Sequence, residues 1–183
     1  MNILVRLTEN LKVPSKSTPE AVGYDLIATS GPKIVGRASP YSGVYYDISY
    51  IEYETNLYIA CLDRVHIGTL SANVATLILP RSSISKYNLV LANGIGLIDP
   101  DFRGQVLCRY KYLWQPSDLQ TIEDEYKNQT YGIKVNPNKV YQKGDKISQL
   151  VFNMGLNVNF KLVNELPKTV RAEGGFGSTD AKN

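Results

Sequence analysis

The run Arg171-Ala172-Glu173-Gly174-Gly175-Phe176-Gly177-Ser178-Thr179-Asp180 sets three glycines around one aromatic ring, with an arginine before them and two hydroxyls after. Glycine loses too much backbone entropy for such a stretch to make a helix or core strand. It can fold over a flat, anionic ligand, with the ring stacking and the arginine and hydroxyls donating to phosphate. Taken alone, it reads equally well as a loose chain end. Upstream, Pro80-Arg81-Ser82-Ser83-Ile84-Ser85 puts an arginine and hydroxyls where a short helix would begin. That is a place for an anion or, more simply, an ordinary cap. The segment 93–104 carries two apolar arms about the turn Asp99-Pro100-Asp101, which suggests a β-hairpin ending in a carboxylate. Asp99 could activate a water, although Asp-Pro-Asp is also common turn chemistry. Lys143-Gly144-Asp145-Lys146-Ile147-Ser148-Gln149 reads as a turn entering a strand, and Gly23-Tyr24-Asp25-Leu26 as a strand end.

The elements that must hold these residues are mostly strands. Runs rich in Val, Ile, Leu and Tyr recur between Gly, Pro, Asn and Asp, at 3–7, 44–53, 57–62, 75–79, 90–91, 105–112, 132–135, 147–152 and 160–163. Short helices are expected at 82–86 and at 119–127, where Ser117 and Gln120 match a capping box. Many short strands with regular turns imply a sandwich, jelly roll or barrel. One domain is expected over 1–183, with additions at 41–58, which holds six of the 13 tyrosines, and at 116–138, and a C-terminal arm at 168–183. Either addition is a possible surface for a protein partner.

Composition excludes several function classes. Charged residues make up 20% and hydrophobic residues 43%, as in soluble globular chains. A net charge of +3 with scattered Lys and Arg gives no nucleic-acid footprint, and no apolar run reaches a membrane span. One histidine, His66 in a strand-like context, makes a His-based metal site or a Ser-His triad improbable. Cys61 and Cys108 read as buried free thiols, and no signal-peptide pattern precedes Arg6, so a cytoplasmic location is expected (host cytoplasm for a phage or viral chain).

Taken together and in order, the five runs resemble the five motifs of the trimeric dUTPases. Gly23-Tyr24-Asp25-Leu26 is similar to the first motif, Pro80-Arg81-Ser82-Ser83 to the second and 93–104 to the third. Gly144-Asp145-Lys146-Ile147-Ser148-Gln149-Leu150 is similar to the fourth, and 171–179 to the fifth. The resemblance implies an all-β distorted jelly roll (the dUTPase-like β-clip) with one or two short helices. It also implies a homotrimer with shared active sites and Mg2+-dependent hydrolysis of dUTP to dUMP and pyrophosphate. Asp99 would be the general base. Asn93, Leu97, Ile98 and Leu107 would read uracil, Phe102 would pack on deoxyribose, and Arg81, Ser82, Ser83 and Gln149 would bind phosphates. Arg171 and Ser178, with Thr179, would grip the γ-phosphate while Phe176 covers the base, and Gly177 would also contact the substrate. Asp25 would meet Mg2+ through water, the ion being held mainly by the phosphates. Phe102 stands where the family has tyrosine, Ser83, Ala172 and Asp180 where it commonly has glycine. Two alternatives stay open: a dCTP deaminase or bifunctional relative, disfavoured because 105–112 carries no acid, and a nucleotide-switched regulatory protein on the same scaffold.

Overall fold

The computed structural model describes residues 2–8, 11–124, 126–170 and 173. Thirteen strands run in the order β1 Ile3–Leu7, β2 Tyr24–Ile27, β3 Lys33–Ala38, β4 Val44–Glu54, β5 Leu57–Cys61, β6 Arg64–Ile67, β7 Leu70–Pro80, β8 Leu89–Leu91, β9 Gly96–Ile98, β10 Leu107–Tyr112, β11 Leu119–Glu123, β12 Gln129–Lys134 and β13 Lys146–Leu156. Two larger sheets dominate, as the jelly-roll class requires. One has the order β11-β12-β4-β10-β8, with β3 also on β4. The other has the order β2-β13-β7-β6, with β9 also on β7. β1 and β5 form a separate pair. The longest ladder joins β13 to β7, from Ser148 opposite Pro80 to Leu156 opposite Ala72. β7 alternates strictly, burying Ala72, Val74, Thr76 and Ile78 while the residues between them stay half-exposed. That period of two matches a strand with one face on a core.

Between the sheets, Leu26, Ile51, Leu57, Ile78, Ile98, Ile147 and Leu150 pack around buried tyrosines. The Tyr53, Tyr110 and Tyr141 rings lie 5.6–6.1 Å apart in edge-to-face contacts, the geometry aromatic quadrupoles favour. Each buried hydroxyl of Tyr53 and Tyr110 reaches a carbonyl, Tyr141 O at 3.2 Å and Ile147 O at 2.8 Å. Burial raises both phenols above their ordinary range and pushes the Cys108 thiol up to about 12. Cys61 and Cys108 are both free and buried, as expected.

Four expectations change. Residues 119–127 do not form a helix: Leu119–Glu123 is strand β11, paired with β12 from Leu119 opposite Ile133 to Glu123 opposite Gln129. Here the ladder overrides a weak local helical pattern, and the observed capping box sits earlier, between Gln115 and Asp118 of a 3-10 turn. The run 160–163 is not a strand. Phe160 and Leu162 are each 97% exposed, so these side chains find no sheet to bury against among the described residues. The 41–58 segment is woven into the fold rather than laid on it, because β4 lies at the centre of its sheet and fully buries Ile51 and Tyr53. The arms on either side of the 99–101 turn do not pair with each other: β9 joins β7, while the chain past the turn enters a strand only at Leu107, as β10, which joins β4 and β8. Strand β3, with its Gly-Arg end, is an element the sequence reading lacks; its register against β4 shifts between Val35 and Gly36 and between Arg37 and Ala38, leaving Ser49 and Tyr46 of β4 without opposite residues.

Candidate functional site

The parting of those arms makes a cleft. β9 and β10 leave for different sheets, and between them opens a cavity of about 590 Å3. Asn93, Leu97, Ile98, Asp99, Phe102 and Leu107 all line it. Backbone economy shapes each wall. Asn93 precedes Gly94, whose φ of +68° turns the chain after β8, with Gly94 N–H donating to Leu91 O at 3.0 Å. Gly96 lies so close to β7 that a Cβ would meet Ile78 Cβ at 3.0 Å. Among the described residues β9 pairs on one edge only, with Ile78 opposite Gly96 and Thr76 opposite Ile98, which leaves its other edge to offer amides and carbonyls to a ligand.

Past Ile98 the chain turns sharply. Phe102 N–H donates to Asp99 O at 3.1 Å, and Arg103 Nη1 ties the turn by donating to Pro100 O at 2.7 Å and Phe102 O at 2.8 Å. The Phe102 ring folds back over Gly104, where a Cβ would stand 2.5 Å from Phe102 Cζ. That contact explains the aromatic-Arg-Gly order. Asp99 is exposed at the cleft. The far end holds residues the sequence did not single out: Tyr50, Arg109 and Lys111. Arg109 stacks 4.5 Å from the Tyr50 ring centre and bonds Glu52 at 2.8 Å, while Lys33 reaches the other Glu52 oxygen at 3.1 Å. Burial would raise the Glu52 carboxyl, but these two partners outweigh it and hold it below its usual range.

Arg81, Gln149 and Asp25 gather elsewhere, across the β7-β13-β2 side of the other sheet. Arg81 Nε pairs with Asp25 Oδ1 at 3.0 Å, and Lys146 Nζ with Asp25 Oδ2 at 2.7 Å. Burial would raise Asp25, yet hydrogen bonds from Lys146 and Ser17 and the Arg81 charge lower it overall. Gln149 lies against Gly23, where any Cβ would fall 2.3 Å from Gln149 Oε1. Its Nε2 donates to Pro80 O at 3.4 Å. Ser82 and Ser83 open a five-residue 3-10 helix, Ser82–Lys86, whose N-cap Arg81 makes no side-chain capping bond. The anion-binding value of this segment therefore rests on Arg81 and the two hydroxyls. Lys146 and Ser17 were missed as site residues; only their contacts with Asp25 reveal them.

The two gatherings are separated by register. Ile98 faces Thr76, while Arg81 follows Pro80, five residues further along β7. At about 3.4 Å per residue, that is about 17 Å of strand, and Asp99 lies beyond Ile98 on the far side. Arg171, Phe176, Gly177 and Ser178, the expected lid, lie outside the described residues.

Among the described residues no group of three His, Cys, Asp or Glu side chains can hold a metal. The Arg81–Asp25–Lys146 cluster offers a single carboxylate, already shared by two cations. This donor set suits a magnesium ion that takes its ligands from phosphates and water, and does not suit one caged by protein.

No family model matches the chain. A deoxyuridine 5'-triphosphate nucleotidohydrolase of Methylococcus capsulatus is 31% identical over 175 residues, covering 95% of this chain and 91% of that protein. The enzyme of the same name from Escherichia phage T5 is 36% identical over 108 residues, 58% of each chain. Among solved structures, a mutant of the Staphylococcus bacteriophage 80alpha dUTPase with dUpNHpp superposes with a TM-score of 0.64 at 19% identity, covering 97% of this chain and 98% of that one. A mutant dUTPase of phage phi11, described with a structural Mg(II) ion, gives 0.58 at 21% identity over 90% and 98%. At those identities the two structures speak for the fold.

Proposed function

The chain belongs to the deoxyuridine 5'-triphosphate nucleotidohydrolase family, and from that premise we propose that it hydrolyses dUTP to dUMP and pyrophosphate at sites built between copies of itself. The observation that carries this is the cleft, in which Asn93, Leu97, Ile98, Phe102 and Leu107 surround the exposed carboxylate of Asp99.

Uracil enters between β9 and Leu107 and is read by Asn93 and the free edge of β9. Cytosine presents the opposite donor and acceptor order, so it leaves buried polar groups unpaired and is rejected. Phe102 packs on the deoxyribose. Asp99 orients a water toward the α-phosphorus and takes its proton as the P–O bond to the leaving pyrophosphate breaks. Arg81, Ser82, Ser83 and Gln149 hold the phosphates and meet the charge that builds on the leaving group. Magnesium, bound by the phosphates and waters with Asp25 as an outer contact, would neutralise that same charge. Arg171, Gly177 and Ser178 close on the γ-phosphate and Phe176 on the base.

The offset of about 17 Å between Ile98 and Arg81 supports a shared site, because it leaves Asp99 and Arg81 of one chain far apart for a single triphosphate. A homotrimer satisfies this with a closed ring of identical contacts. Exposed Met154, Leu156, Val158, Phe160 and Leu162 give each copy apolar surface to bury in such an assembly. Two buried free thiols fit a reducing cytoplasm.

Purified protein incubated with dUTP, dCTP, dTTP and UTP, its products resolved by chromatography, tests the reading. Release of dUMP and pyrophosphate from dUTP alone is expected. Ammonia from dCTP, or no dUMP from dUTP, would overturn it.

A further inference from the structure

Resting on that reading, we infer that Asp25 is a positioning residue that acts on the nucleotide through Arg81, and that Ser17 and Lys146 in turn position Asp25. The carboxylate is 10% exposed and three donors converge on it: Arg81 Nε at 3.0 Å, Lys146 Nζ at 2.7 Å and Ser17 Oγ at 2.7 Å. Lys146 Nζ also donates to Ser17 Oγ at 3.2 Å, closing a triangle behind the acid. Arg81 Nη1 donates to Lys146 O at 3.4 Å, so the guanidinium is held on two sides by one bracket.

The backbone builds this bracket deliberately. The β13–β2 register shifts between Lys146 and Ser148, a bulge of the kind that re-aims a side chain. It leaves Gln149 opposite Asp25 yet sends the Lys146 ammonium back to the same carboxylate. Ser17 arrives because Asp25 N–H donates to Ser15 O at 3.0 Å, laying the N-terminal segment beside β2. Ser17 belongs to none of the five motifs. A carboxylate has about four acceptor positions, and three donors already occupy most of them here. Its first task in this arrangement is to keep a long, rotamer-rich arginine in one pose, so that binding a phosphate does not have to order it.

The test is binding of the α,β-imido analogue of dUTP in EDTA, measured by calorimetry, for wild type, Asp25→Asn, Arg81→Gln and the double variant. Asp25→Asn should bind about tenfold more weakly without any metal, and the double variant no more weakly than Arg81→Gln alone. Ser17→Ala, an exposed and conservative change, should lose about twofold to threefold. Lys146→Arg should bind as wild type, and Lys146→Gln should not. Wild-type affinity for Asp25→Asn in EDTA, with loss only once Mg2+ is added, would overturn the inference. So would losses that multiply in the double variant, or a Ser17→Ala protein with no loss should Asp25→Asn fail to fold. No binding of the analogue by wild type, with or without Mg2+, would instead overturn the dUTPase reading from which this one follows.

Discussion

The base cleft and the phosphate cluster solve opposite problems with opposite means. The cleft is shaped by backbone: glycines at 94, 96 and 104, an unpaired strand edge and a clamped turn, with Asp99 left exposed and free to face a water. The cluster is shaped by charge: Asp25, Arg81 and Lys146 are already paired with one another before any ligand arrives. Shape discriminates a base because a rigid wall punishes one misplaced donor. Preset charge receives a triphosphate because cations already paired and oriented need little reorganisation. The register sets the two regions about 17 Å apart along β7, which supports the proposal that the two devices of one copy serve different substrate molecules.

The largest effect that would sharpen this contrast comes from breaking one half per chain. Asp99→Asn should lower kcat by about 10^2 to 10^4 with little change in KM. Arg81→Ala should also be nearly inactive. Mixed after co-expression, the two inactive variants should recover measurable dUTPase activity, because some shared sites then receive an intact Asp99 and an intact Arg81. No recovery in verified mixed oligomers would place a whole site in one chain and break the comparison. Next in size, Gly23→Ala should cost about tenfold in kcat/KM, since the added methyl displaces the Gln149 amide. An unchanged value would remove Gln149 from the phosphate half. A pH titration probes the brace behind the cleft. Glu52 is depressed in the folded chain, so its contribution to stability is present above the unfolded value of about 4.3 and is lost as pH falls through the lower, folded one. Thermal melts of wild type should therefore weaken on acidification below about pH 4 more steeply than those of Glu52→Gln; parallel curves would refute the brace. Smallest, Phe102→Tyr should change the dUTP-to-UTP preference by no more than about threefold, because the ring is set by its contact with Gly104 and not by a hydroxyl. A larger change in steady-state kcat/KM ratios would give the missing hydroxyl the sugar-reading role.

Much of this was legible in the chain itself, for physical reasons that also explain the rest. Strands such as Ile3–Leu7 and Leu57–Cys61 announce themselves because half-buried ladders leave a period of two. The cleft residues were legible because glycine and turn chemistry are written locally. Residues 119–127 misled because a strand held at a sheet margin draws its stability from its partner β12, which no local pattern records. The tyrosines of 41–58 looked like an added surface, since the sequence does not tell that β4 runs through the middle of a sheet. Lys146 stayed hidden for the same reason as the Glu52 brace, because an ion pair between strands far apart in the chain has no spacing to read, and Ser17 stayed hidden because its hydroxyl meets Asp25 from an irregular segment with no periodicity.

The offset along β7 carries a consequence for how such a catalyst behaves in bulk. With Ile98 and Arg81 about 17 Å apart on one strand pair, the shared site proposed above makes turnover per chain a matter of mass action: dilution below the assembly constant should lower specific activity while every individual fold stays intact, and saturating nucleotide, by bridging neighbours, should shift that threshold downward.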